Sequence, residues 1–400
     1  MHRSHSPKHA SRVIGDIHGN RPGPTIVAFG GLHGNEPGGV IAIRRVVERL
    51  SFGKDRLCGR FIGLLGNEGA LSKGLRFLDR DLNRCWDDTF ITGLQKQDPS
   101  LDSPEDMEQR EILALLESLH DSATQPIVFL DLHSTSGRGA PFCAMADTLR
   151  NRTIAFALGI PVILGLEEAL ETAMLGWLSD LGHVGVVVEG GQHDDPTTPD
   201  FLEAAIWLSL VAAGALREGD VRDFTAHQER MKTAATGLPE VVEILYRYTI
   251  AVEDHFRMRP GYENFQSVTK GEPLADDVRG EVPCPIDGCI LMPLYQPQGE
   301  DGFFLAREVN RRWLDLSTSL RERRADRMLA LLPGVSWHPD DKDRLIVDQS
   351  VARFQTLNIF HLFGYRKRHD EGGHLVFSRR RPDHHPLSPA GSANPLLVKG

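Results

Sequence analysis

The sequence predicts an α/β protein, with a mixed, mostly parallel sheet flanked by helices and a second, mostly β domain towards the C-terminus. Two observations carry this prediction. In the first half of the chain, short apolar runs alternate with segments of helical periodicity, which is typical of parallel βαβ units. After about residue 266, the pattern changes to short apolar runs punctuated by Gly and Pro, which is typical of hairpins.

Four short apolar runs in the first half are predicted to be strands, because β-branched and aliphatic residues dominate them. Their lack of alternation between apolar and polar residues favours strands that are buried on both faces. The runs are Pro24–Gly31, Arg60–Leu65, Pro126–Leu132 and Val184–Glu189.

Three segments between and after these runs are predicted to be helices. Gly39–Leu50 repeats its apolar residues at helical spacing, so that they share one face. Pro104–Leu119 follows a predicted N-cap at Ser103 and has acidic residues in its first turn, where they interact favourably with the helix dipole. Thr198–Arg217 is strongly apolar, which indicates a buried helix, and its N-cap is predicted at Thr198.

The pattern divides the chain into three parts. Residues 1–225 are predicted to form the α/β domain, residues 226–380 a mostly β domain with a helical extension, and residues 381–400 a flexible tail rich in Pro, Ser and Gly. Within the second part, Asp287–Gly288 between two apolar runs predicts a hairpin. The Arg-rich segment Asn310–Leu332 has helical periodicity, and we expect a solvated surface helix there.

Composition and charge exclude several classes of protein. The 400 residues include 45 Lys and Arg against 55 Asp and Glu, a net charge of −10, which argues against nucleic-acid binding. The longest nearly apolar run, Ala204–Leu216, is too short to cross a hydrocarbon layer of ~30 Å, so we expect no membrane partner. Five cysteines without a CxxC pair indicate reduced thiols, and the N-terminus shows no signal peptide. A cytoplasmic protein is expected.

Candidate metal ligands follow two of the predicted strands. His33 and Glu36 lie in a Gly-rich segment after the first strand, and His133 follows the third. Ligands collect at the carboxyl ends of strands in an open α/β sheet, so we expect these side chains to meet. Two His and one Glu, with a fourth position open to water, form a known catalytic zinc set. The sequence therefore predicts one zinc ion per chain.

Further polar residues are candidates for catalysis and substrate binding. Glu189 ends the fourth predicted strand, where partial desolvation suits a general base. Arg84, with Asn83 as a neighbouring donor, is a candidate for holding a substrate carboxylate in a bidentate fork. Arg76 is a candidate for polarising a carbonyl group and stabilising its oxyanion.

Four motifs occur in an order that identifies a family resemblance. GGLHGNEPGG, the NxxA…R…DxDLNR segment, DLHST and VVVEGGQ together resemble the aspartoacylase/succinylglutamate desuccinylase family, whose catalytic fold is similar to that of zinc carboxypeptidases. The resemblance covers roughly residues 12–217 and extends more loosely to PIDGCILMPLYQPQGEDGFF in the second domain. It implies a zinc-carboxypeptidase-like sheet in the first domain.

The resemblance also implies a role for each candidate residue. It implies that His33, Glu36 and His133 are zinc ligands. It implies that Arg76 polarises the substrate carbonyl and that Glu189 is the general base. Asn83 and Arg84 are the implied carboxylate-binding pair. The sequence departs from the family in two places. The segment LETAMLGWLSDLGH before Glu189 contains no Arg, whereas aspartoacylase carries a substrate-binding one nearby. The extension over residues 310–380 matches neither named enzyme closely.

We therefore expect a zinc-dependent hydrolase that cleaves the amide bond of a small N-acylated amino acid or a related carboxylate-bearing amide. Its partner would be a small anionic substrate, and the sequence is compatible with a homo-oligomer. The acyl group and the amino acid stay open, as do the roles of His193, Tyr295 and Glu300, although a loop hydrogen bond is favoured for His193.

Two alternatives belong to other classes. The first is a non-catalytic zinc-binding module on the same fold. The second is a two-metal phosphoesterase, because GDIHGN, which contains Asp16 and His18, is similar to the opening of calcineurin-like metallophosphoesterases. The later loops of that class are missing from the sequence, so we expect His18 to be a polar residue in a hairpin before the strand at Thr25.

Overall fold

A computed structural model describes residues 12–170, 172–341, 343–348, 356–371 and 374–379 of the chain. The predicted tail, residues 381–400, lies outside the described residues. The strands of the described part are β1 (Val13–His18), β2 (Arg21–Gly30), β3 (Cys58–Leu65), β4 (Val128–Thr135), β5 (Phe142–Met145), β6 (Val162–Leu164), β7 (Val184–Gln192), β8 (Val241–Thr249), β9 (Arg257–Met258), β10 (Ser267–Val268), β11 (Pro273–Asp277), β12 (Gly280–Pro283), β13 (Gly288–Leu291), β14 (Asp301–Glu308), β15 (Val335–Trp337), β16 (Arg344–Val347), β17 (Lys367–Glu371) and β18 (His374–Ser378). The α-helices are α1 (Gly38–Gly53), α2 (Glu68–Lys73), α3 (Asp88–Lys96), α4 (Pro104–Ser122), α5 (Leu149–Ala157), α6 (Leu166–Ala169), α7 (Met174–Asp180), α8 (Thr198–Ala212), α9 (Phe224–Ala234), α10 (Arg311–Glu322) and α11 (Thr356–Leu362).

Within the described residues, the central feature is an 11-stranded sheet in the order β1-β3-β2-β4-β7-β5-β6-β8-β14-β13-β10. Neighbours among β3, β2, β4 and β7 run parallel, while β1 runs antiparallel to β3 and β5 runs antiparallel to β7. The predicted mixed, mostly parallel sheet flanked by helices is confirmed. All four strands predicted in the first half of the chain belong to it.

Helices cover both faces of this sheet, which is why its central strands are apolar along their whole length. Ile26 and Ala28 pack with α1, α5, α8 and α9 on one face. Val27 and Phe29, which alternate with them along β2, pack with α4 and α7 on the other face. The predicted N-cap at Ser103 is present: its side chain accepts a hydrogen bond from Asp106 N, and Asp106 reciprocates in a capping box.

The main sheet continues past residue 225. Helix α9 crosses that position, and β8 then joins the sheet by pairing in parallel with β6. Strands β14, β13 and β10 extend the sheet in antiparallel order. The division of the chain into domains at residue 225 stays a prediction. Strands from both sides of this residue contribute to one hydrogen-bonded sheet.

Two local predictions in the β regions are wrong because strands pair with partners other than their neighbours in sequence. His18 does not lie in a hairpin, since β1 pairs with β3 and β2 lies on the other side of β3. The segment Asp287–Gly288 does not close a hairpin either. Strand β12 before it pairs with β11 in a separate three-stranded sheet, while β13 after it pairs with β14 and β10.

The Arg-rich segment is only partly the solvated helix that its composition indicates. Helix α10 ends at Glu322, and Arg321 in its last turn is 1% exposed because it pairs with the buried Asp147. Ser317 donates a hydrogen bond to the carbonyl oxygen of Leu362. Behind this helix, a four-stranded sheet in the order β15-β16-β18-β17 and helix α11 build a separate small core.

Helix α8 also differs slightly from its predicted span. It begins at Thr198, with Thr197 as the cap residue, and ends at Ala212. Gly214 follows with φ +78°, a left-handed conformation that terminates the helix before the predicted end. Although α8 is strongly apolar, none of the helices in the described ranges has both the length and the hydropathy of a membrane span.

Candidate metal centre and active site

The predicted metal ligands meet at the carboxyl ends of two neighbouring strands. Strands β2 and β4 pair in parallel with Gly30 beside Leu132, so the loop after β2 lies next to the end of β4. That loop carries His33 and Glu36, and β4 carries His133. One ligand atom of each side chain lies within 4.8 Å of the others, and all three residues are buried. The group is able to hold a metal ion.

Glycine is required in the loop that carries two of these ligands. Gly31 has φ +74°, which a residue with a side chain rarely adopts. At Gly34, a Cβ atom would lie 2.1 Å from the carbonyl carbon of Ala70 in α2. The amide of Gly34 donates a hydrogen bond to Arg76 O at 3.1 Å. The close approach of α2 therefore fixes the path of the loop.

Each imidazole lies between the shared Glu36 and a second carboxylate. His33 places Nδ1 2.9 Å from Glu36 Oε1 and Nε2 3.1 Å from Asp81 Oδ1. His133 places Nδ1 2.9 Å from Glu36 Oε2 and Nε2 2.9 Å from Asp131 Oδ2. A carboxylate behind the second ring nitrogen orients metal-binding histidines and raises their basicity. This donor set fits a divalent metal ion.

Asp81 and Asp131 contact the imidazoles of the candidate ligands, and the sequence reasoning did not single them out. A signal for each exists in the sequence. Asp131 stands two residues before His133, so both side chains lie on the same face of β4. Asp81 is the second Asp of the DxDLNR motif, and its side chain also accepts a hydrogen bond from Asn83 N at 2.9 Å.

The electrostatics of the cluster favour a cation at its centre. Burial by itself raises the pKa of Glu36, but the imidazoles of His33 and His133 outweigh it and hold this pKa well below its usual value. Burial lowers the pKa of His133, and the carboxylates of Asp131 and Glu36 outweigh it in the opposite direction, so that this pKa lies well above its usual value. Glu36 is therefore in the deprotonated form that a metal ligand requires.

Arg76 lies at the edge of the metal-ligand cluster. Its Nη2 lies 2.9 Å from Asp81 Oδ2, and its Nη1 lies 3.5 Å from Glu36 Oε1. Its backbone amide donates to Gln298 Oε1 at 3.1 Å. The guanidinium is thereby held beside the position where a substrate carbonyl would approach the ligands, which suits the stabilisation of an oxyanion.

Asn83 and Arg84 lie in the short 3-10 turn Leu82–Arg84. Asn83 Oδ1 accepts a hydrogen bond from Met174 N at 2.9 Å, which leaves its amide NH2 as a donor. Arg84 places Nη2 3.0 Å from Asp301 Oδ2, while its buried Nε has no hydrogen-bond partner. Both residues thus offer donors to a ligand in the cavity.

Glu189 lies beside the cluster because β7 pairs with β4 and its register partner is His133. The residue is 8% exposed, and its Oε2 has no hydrogen-bond partner. Burial raises the pKa of Glu189 to about 8. A buried carboxylate without a partner is unfavourable for folding, so its presence at this position indicates a functional role.

All seven residues singled out from the sequence line one cavity, which opens to solvent and contains about 1020 Å³ of empty space including its mouth. The loop between β13 and β14 covers part of this cavity. Gln296 in this loop accepts a hydrogen bond from Asn35 Nδ2 at 2.7 Å. His193 bridges the loop to the metal centre, with Nε2 3.0 Å from Gln296 Oε1 and Nδ1 2.8 Å from Ser134 Oγ. The loop hydrogen bond favoured for His193 is confirmed, and Gln296 carried no sequence signal.

The remaining two unassigned residues of this loop differ in position. Glu300 lines the cavity. Tyr295 instead accepts a hydrogen bond from Tyr262 N at 3.0 Å and donates one to Arg259 O at 2.8 Å, so its hydroxyl is engaged outside the lining.

The rival phosphoesterase motif does not build a metal site. Asp16 binds Arg60 with both carboxylate oxygens, at 2.7 Å and 2.6 Å, on the exposed strand β1. His18 is 66% exposed. In the part of the chain that the structure describes, only His33, Glu36 and His133 form a group with metal-binding geometry. We therefore reject the two-metal alternative.

The chain is similar to known proteins over this region. It is 32% identical over 148 residues to a probable aspartoacylase of Parasynechococcus marenigrum, an alignment that covers 36% of this chain and 44% of that protein. The chain thus spans less than half of the length of the curated relatives that it matches.

Two solved structures share the fold. A succinylglutamate desuccinylase/aspartoacylase from Rhodobacter sphaeroides superposes with a TM-score of 0.55 at 20% identity, covering 74% of this chain and 88% of that one. A succinylglutamate desuccinylase from Vibrio parahaemolyticus gives a TM-score of 0.51 at 15% identity, covering 82% of this chain and 86% of that one. The predicted zinc-carboxypeptidase-like fold is confirmed by these neighbours together with the sheet described above.

The match to a family is direct. The sequence profile of the succinylglutamate desuccinylase/aspartoacylase catalytic domain matches residues 22–207. This segment contains the metal-ligand cluster, Arg76, the 3-10 turn at Asn83 and Arg84, and Glu189. Residues 22–207 therefore match the catalytic domain of the succinylglutamate desuccinylase/aspartoacylase family, which the motifs resemble.

Proposed function

We propose that the protein is a zinc-dependent hydrolase that cleaves the amide bond of a small N-acylated amino acid or a related carboxylate-bearing amide. A single observation carries this proposal: a buried carboxylate without a partner, Glu189, shares a cavity with a His-Glu-His metal-ligand set. A metal site with a purely structural role would be closed by a fourth protein ligand and would have no use for such a carboxylate.

The metal is held by His33, Glu36 and His133, one zinc ion per chain in this proposal. Zinc bound there supplies Lewis-acid polarisation of a carbonyl group and acidifies a water molecule. The two carboxylates behind the imidazoles, Asp81 and Asp131, keep the rings oriented towards the shared Glu36.

The other candidate residues have roles in proton transfer, oxyanion stabilisation and substrate binding. Glu189 accepts a proton from the attacking water and delivers it to the leaving nitrogen, as a general base and then a general acid. Arg76 stabilises the negative charge that develops on the carbonyl oxygen. Arg84 and Asn83, which both line the cavity, bind the substrate carboxylate through guanidinium and amide N–H groups. The cavity itself excludes bulk water from the reacting groups.

The activity, the choice of zinc and the cytoplasmic location are parts of this proposal. The family match supports the reaction type, since the relatives are called aspartoacylase and desuccinylase. The geometry supports a small anionic substrate, because Asn83 and Arg84 line the cavity and an amide NH2 and a guanidinium group can donate hydrogen bonds to a carboxylate.

A metal analysis combined with an activity panel tests the proposal. We expect one zinc per chain in the purified protein and hydrolysis of N-acylated amino acids by the zinc form. Glu189→Gln removes the base but keeps its shape, so we expect turnover to fall by about 10²- to 10⁴-fold while the zinc content stays at one per chain.

Glu117→Gln is the matched control, because it makes the same change on the exposed face of α4. It should keep the turnover of the natural sequence. Turnover of Glu189→Gln at the level of this control would contradict the role of Glu189. A fully zinc-loaded protein that hydrolyses no amide in a broad panel would favour the non-catalytic zinc module instead.

A further inference from the structure

One wall of the active-site cavity is apolar. Six of its residues are Met145 of β5, Leu166 of α6, Leu170, Leu175 of α7, Val187 of β7 and Phe304 of β14, and we call this wall the apolar pouch. Hydrolysis of an amide bond requires polar groups only, and these are already supplied by the metal-ligand cluster, Arg76 and Glu189. The apolar pouch is therefore available to the part of the substrate that does not react.

The pouch is open because small residues stand where larger ones would fill it. Ala144, Ala146, Ala173 and Gly176 also line the cavity. Gly176 is buried in helix α7 with ordinary helical backbone, yet a Cβ atom built on it would meet nothing within 4 Å. Protein interiors are otherwise close-packed, and an unfilled apolar space reduces stability. An apolar space of this kind beside reactive groups is the usual form of a ligand site.

The charges of the cavity disfavour a substrate with two carboxylates. Among the described residues that line it, the only Arg or Lys residues are Arg76 and Arg84. Each is already paired with a carboxylate: Arg76 with Asp81, and Arg84 with Asp301. The relatives are named for aspartate and succinylglutamate, which carry more than one carboxylate.

Further carboxylates of the lining strengthen this argument. Glu167 and Glu300 line the cavity together with Asp301, which also pairs with Arg247. A second carboxylate on a substrate would meet these acidic side chains and would be repelled. One substrate carboxylate can be held by Asn83 and Arg84. For a second one, the described residues of the lining offer no Arg or Lys except Arg76, which the proposed function assigns to the oxyanion.

The carboxylate-binding turn is joined directly to the pouch. Asn83 Oδ1 accepts its hydrogen bond from Met174 N, the first residue of α7. Leu175 and Gly176, which follow in the same helix, line the pouch. A substrate whose carboxylate binds at Asn83 therefore has an apolar wall within reach of its other substituents.

From these observations we infer, on the basis of the proposed function, that the substrate carries a single carboxylate and a large apolar group, of the size of a leucine or phenylalanine side chain, which binds in the apolar pouch. The apolar group belongs either to the amino-acid side chain or to the acyl chain. Both have the same chemistry, and the experiment distinguishes them.

The test compares kcat/KM of the zinc-loaded full chain for two substrate series. The first is the N-acetyl derivatives of alanine, leucine, phenylalanine and aspartate, and the second is N-acetyl-, N-hexanoyl- and N-succinylglycine. We expect the large apolar member to exceed the small one by about tenfold or more in at least one series, and the acidic member to be the poorest in both. A preference for aspartate or for succinyl overturns the inference, as does equal use of large and small apolar groups in both series.

Gly176→Leu fills the pouch without backbone strain, so we expect it to reduce the preference for the large apolar member by about tenfold. The matched control is Gly93→Leu, an exposed glycine in helix α3 with nothing within 4 Å of a built Cβ. It carries the same substitution in a helix outside the cavity lining and should leave the preference unchanged. An unchanged preference in Gly176→Leu would overturn the inference.

A binding measurement separates failure of this inference from failure of the proposed function. Calorimetric titration of zinc-loaded Glu189→Gln with N-acetyl-L-phenylalanine, N-hexanoylglycine and N-acetyl-L-aspartate needs no turnover. We expect at least one of the two apolar ligands to bind about tenfold or more tightly than the aspartate derivative, with a negative heat-capacity change that marks apolar burial, and Gly176→Leu to remove the difference. If no amide is hydrolysed, the proposed function fails while this result still supports the pouch. Equal or tighter binding of the aspartate derivative overturns it in either case.

Discussion

His183 is a buried histidine whose neighbours fix its protonation. Its Nδ1 accepts a hydrogen bond from Ile127 N at 3.2 Å, so in the neutral ring the proton lies on Nε2, which is 2.9 Å from His120 Nδ1. The ring of Phe129 packs edge-on against it. Burial, together with His120, lowers the pKa of His183 to about 4.

This lowered pKa predicts a loss of stability in mild acid. Because the unfolded chain binds the proton near the ordinary pKa of about 6.5 and the folded chain only near 4, the contribution of His183 to stability is present above pH 6.5 and is lost as pH falls towards 4. Urea unfolding at pH 7 and pH 5 should show that the natural sequence loses roughly 1–2 kcal/mol more than His183→Gln, whose side chain does not titrate. Equal losses in the two proteins would contradict this account.

At the scale of single residues, the sequence singled out the candidate residues that the structure brings together in one cavity, but not the side chains that contact them. His33, Glu36 and His133 stand next to predicted strand ends. Ligands collect at the carboxyl ends of strands, so these positions predict that the three side chains lie close together. Gln296 reaches the metal centre from a loop 163 residues further along the chain than His133, as its hydrogen bond to His193 shows. Amide side chains in loops have no periodicity or motif that would distinguish them, so such a contact depends on tertiary structure.

At the scale of elements, helix α1 packs unusually close to the strands that end at the metal centre. A Cβ atom on Gly39 would lie 2.8 Å from the carbonyl oxygen of Leu132 in β4 and 3.1 Å from Gly30 Cα in β2. These are backbone atoms, which do not move aside as a flexible side chain does. The contact joins the helix after the ligand loop to the strand that carries His133.

We therefore predict that Gly39→Ala destabilises the protein. Overpacking against backbone should lower the free energy of unfolding by about 1–3 kcal/mol and weaken metal retention, because the two ligand-bearing segments are pushed apart. Gly53→Ala is the control in the same helix, since nothing lies within 4 Å of its built Cβ. It should change stability by less than about 1 kcal/mol, and in the stabilising direction. Urea unfolding and metal analysis of both variants make the comparison, and equal effects would refute the close-packing argument.

The elements of the parallel core were predictable because burial on both faces leaves a continuous apolar run in the sequence. The elements that were mispredicted lack this signal. Strand β1 is half-exposed and polar at Asp16 and His18, and it pairs with β3 across about 45 residues of chain. The Asp-Gly pair before β13 has the composition of a hairpin turn, yet the partner of β13 is decided by which edge of the sheet is free and not by the turn.

At the scale of the whole molecule, one buried carboxylate connects the C-terminal residues to the catalytic half. Asp147 follows β5 and lies 2.7 Å from Arg152 Nε, 2.9 Å from Arg321 Nη2 and 3.1 Å from Arg366 Nε. Burial raises the pKa of Asp147, but the three guanidinium groups outweigh it and hold this pKa well below its usual value. Arg321 and Arg366 belong to the extension that has no counterpart in the motifs of the family.

Asp147→Asn should release this extension. The substitution removes the carboxylate that three buried guanidinium groups share, so we expect a loss of about 3–5 kcal/mol in the free energy of unfolding and faster hydrogen exchange in α10. Asp315→Asn is the control, because its i,i+4 pair with Arg311 lies on the exposed side of the same helix. It should change stability by about 0.5 kcal/mol or less. Equal stability of the two variants would show that Asp147 does not hold the extension in place.

The composition of α10 explains why this connection was not predicted. A run of Arg residues on a helix normally indicates a solvated face, and several of these side chains are exposed. Arg321 instead points inward, where it binds Asp147, more than 160 residues earlier in the chain, and the carbonyl oxygens of His361 and Leu362. Charge pairing between distant segments leaves no local pattern, whereas the catalytic motifs are local.

The parallel pairing of β6 with β8 has a practical consequence for anyone who wishes to express a smaller version of this protein. A fragment that stopped at residue 225 would retain every candidate catalytic residue but would leave one edge of Val162–Leu164 without its hydrogen-bonding neighbour. A bare apolar edge of this kind recruits strands from other molecules and promotes aggregation. We therefore expect the strands after residue 225 to protect the edge of β6 from pairing between molecules, and a shortened protein should extend at least to the end of β14.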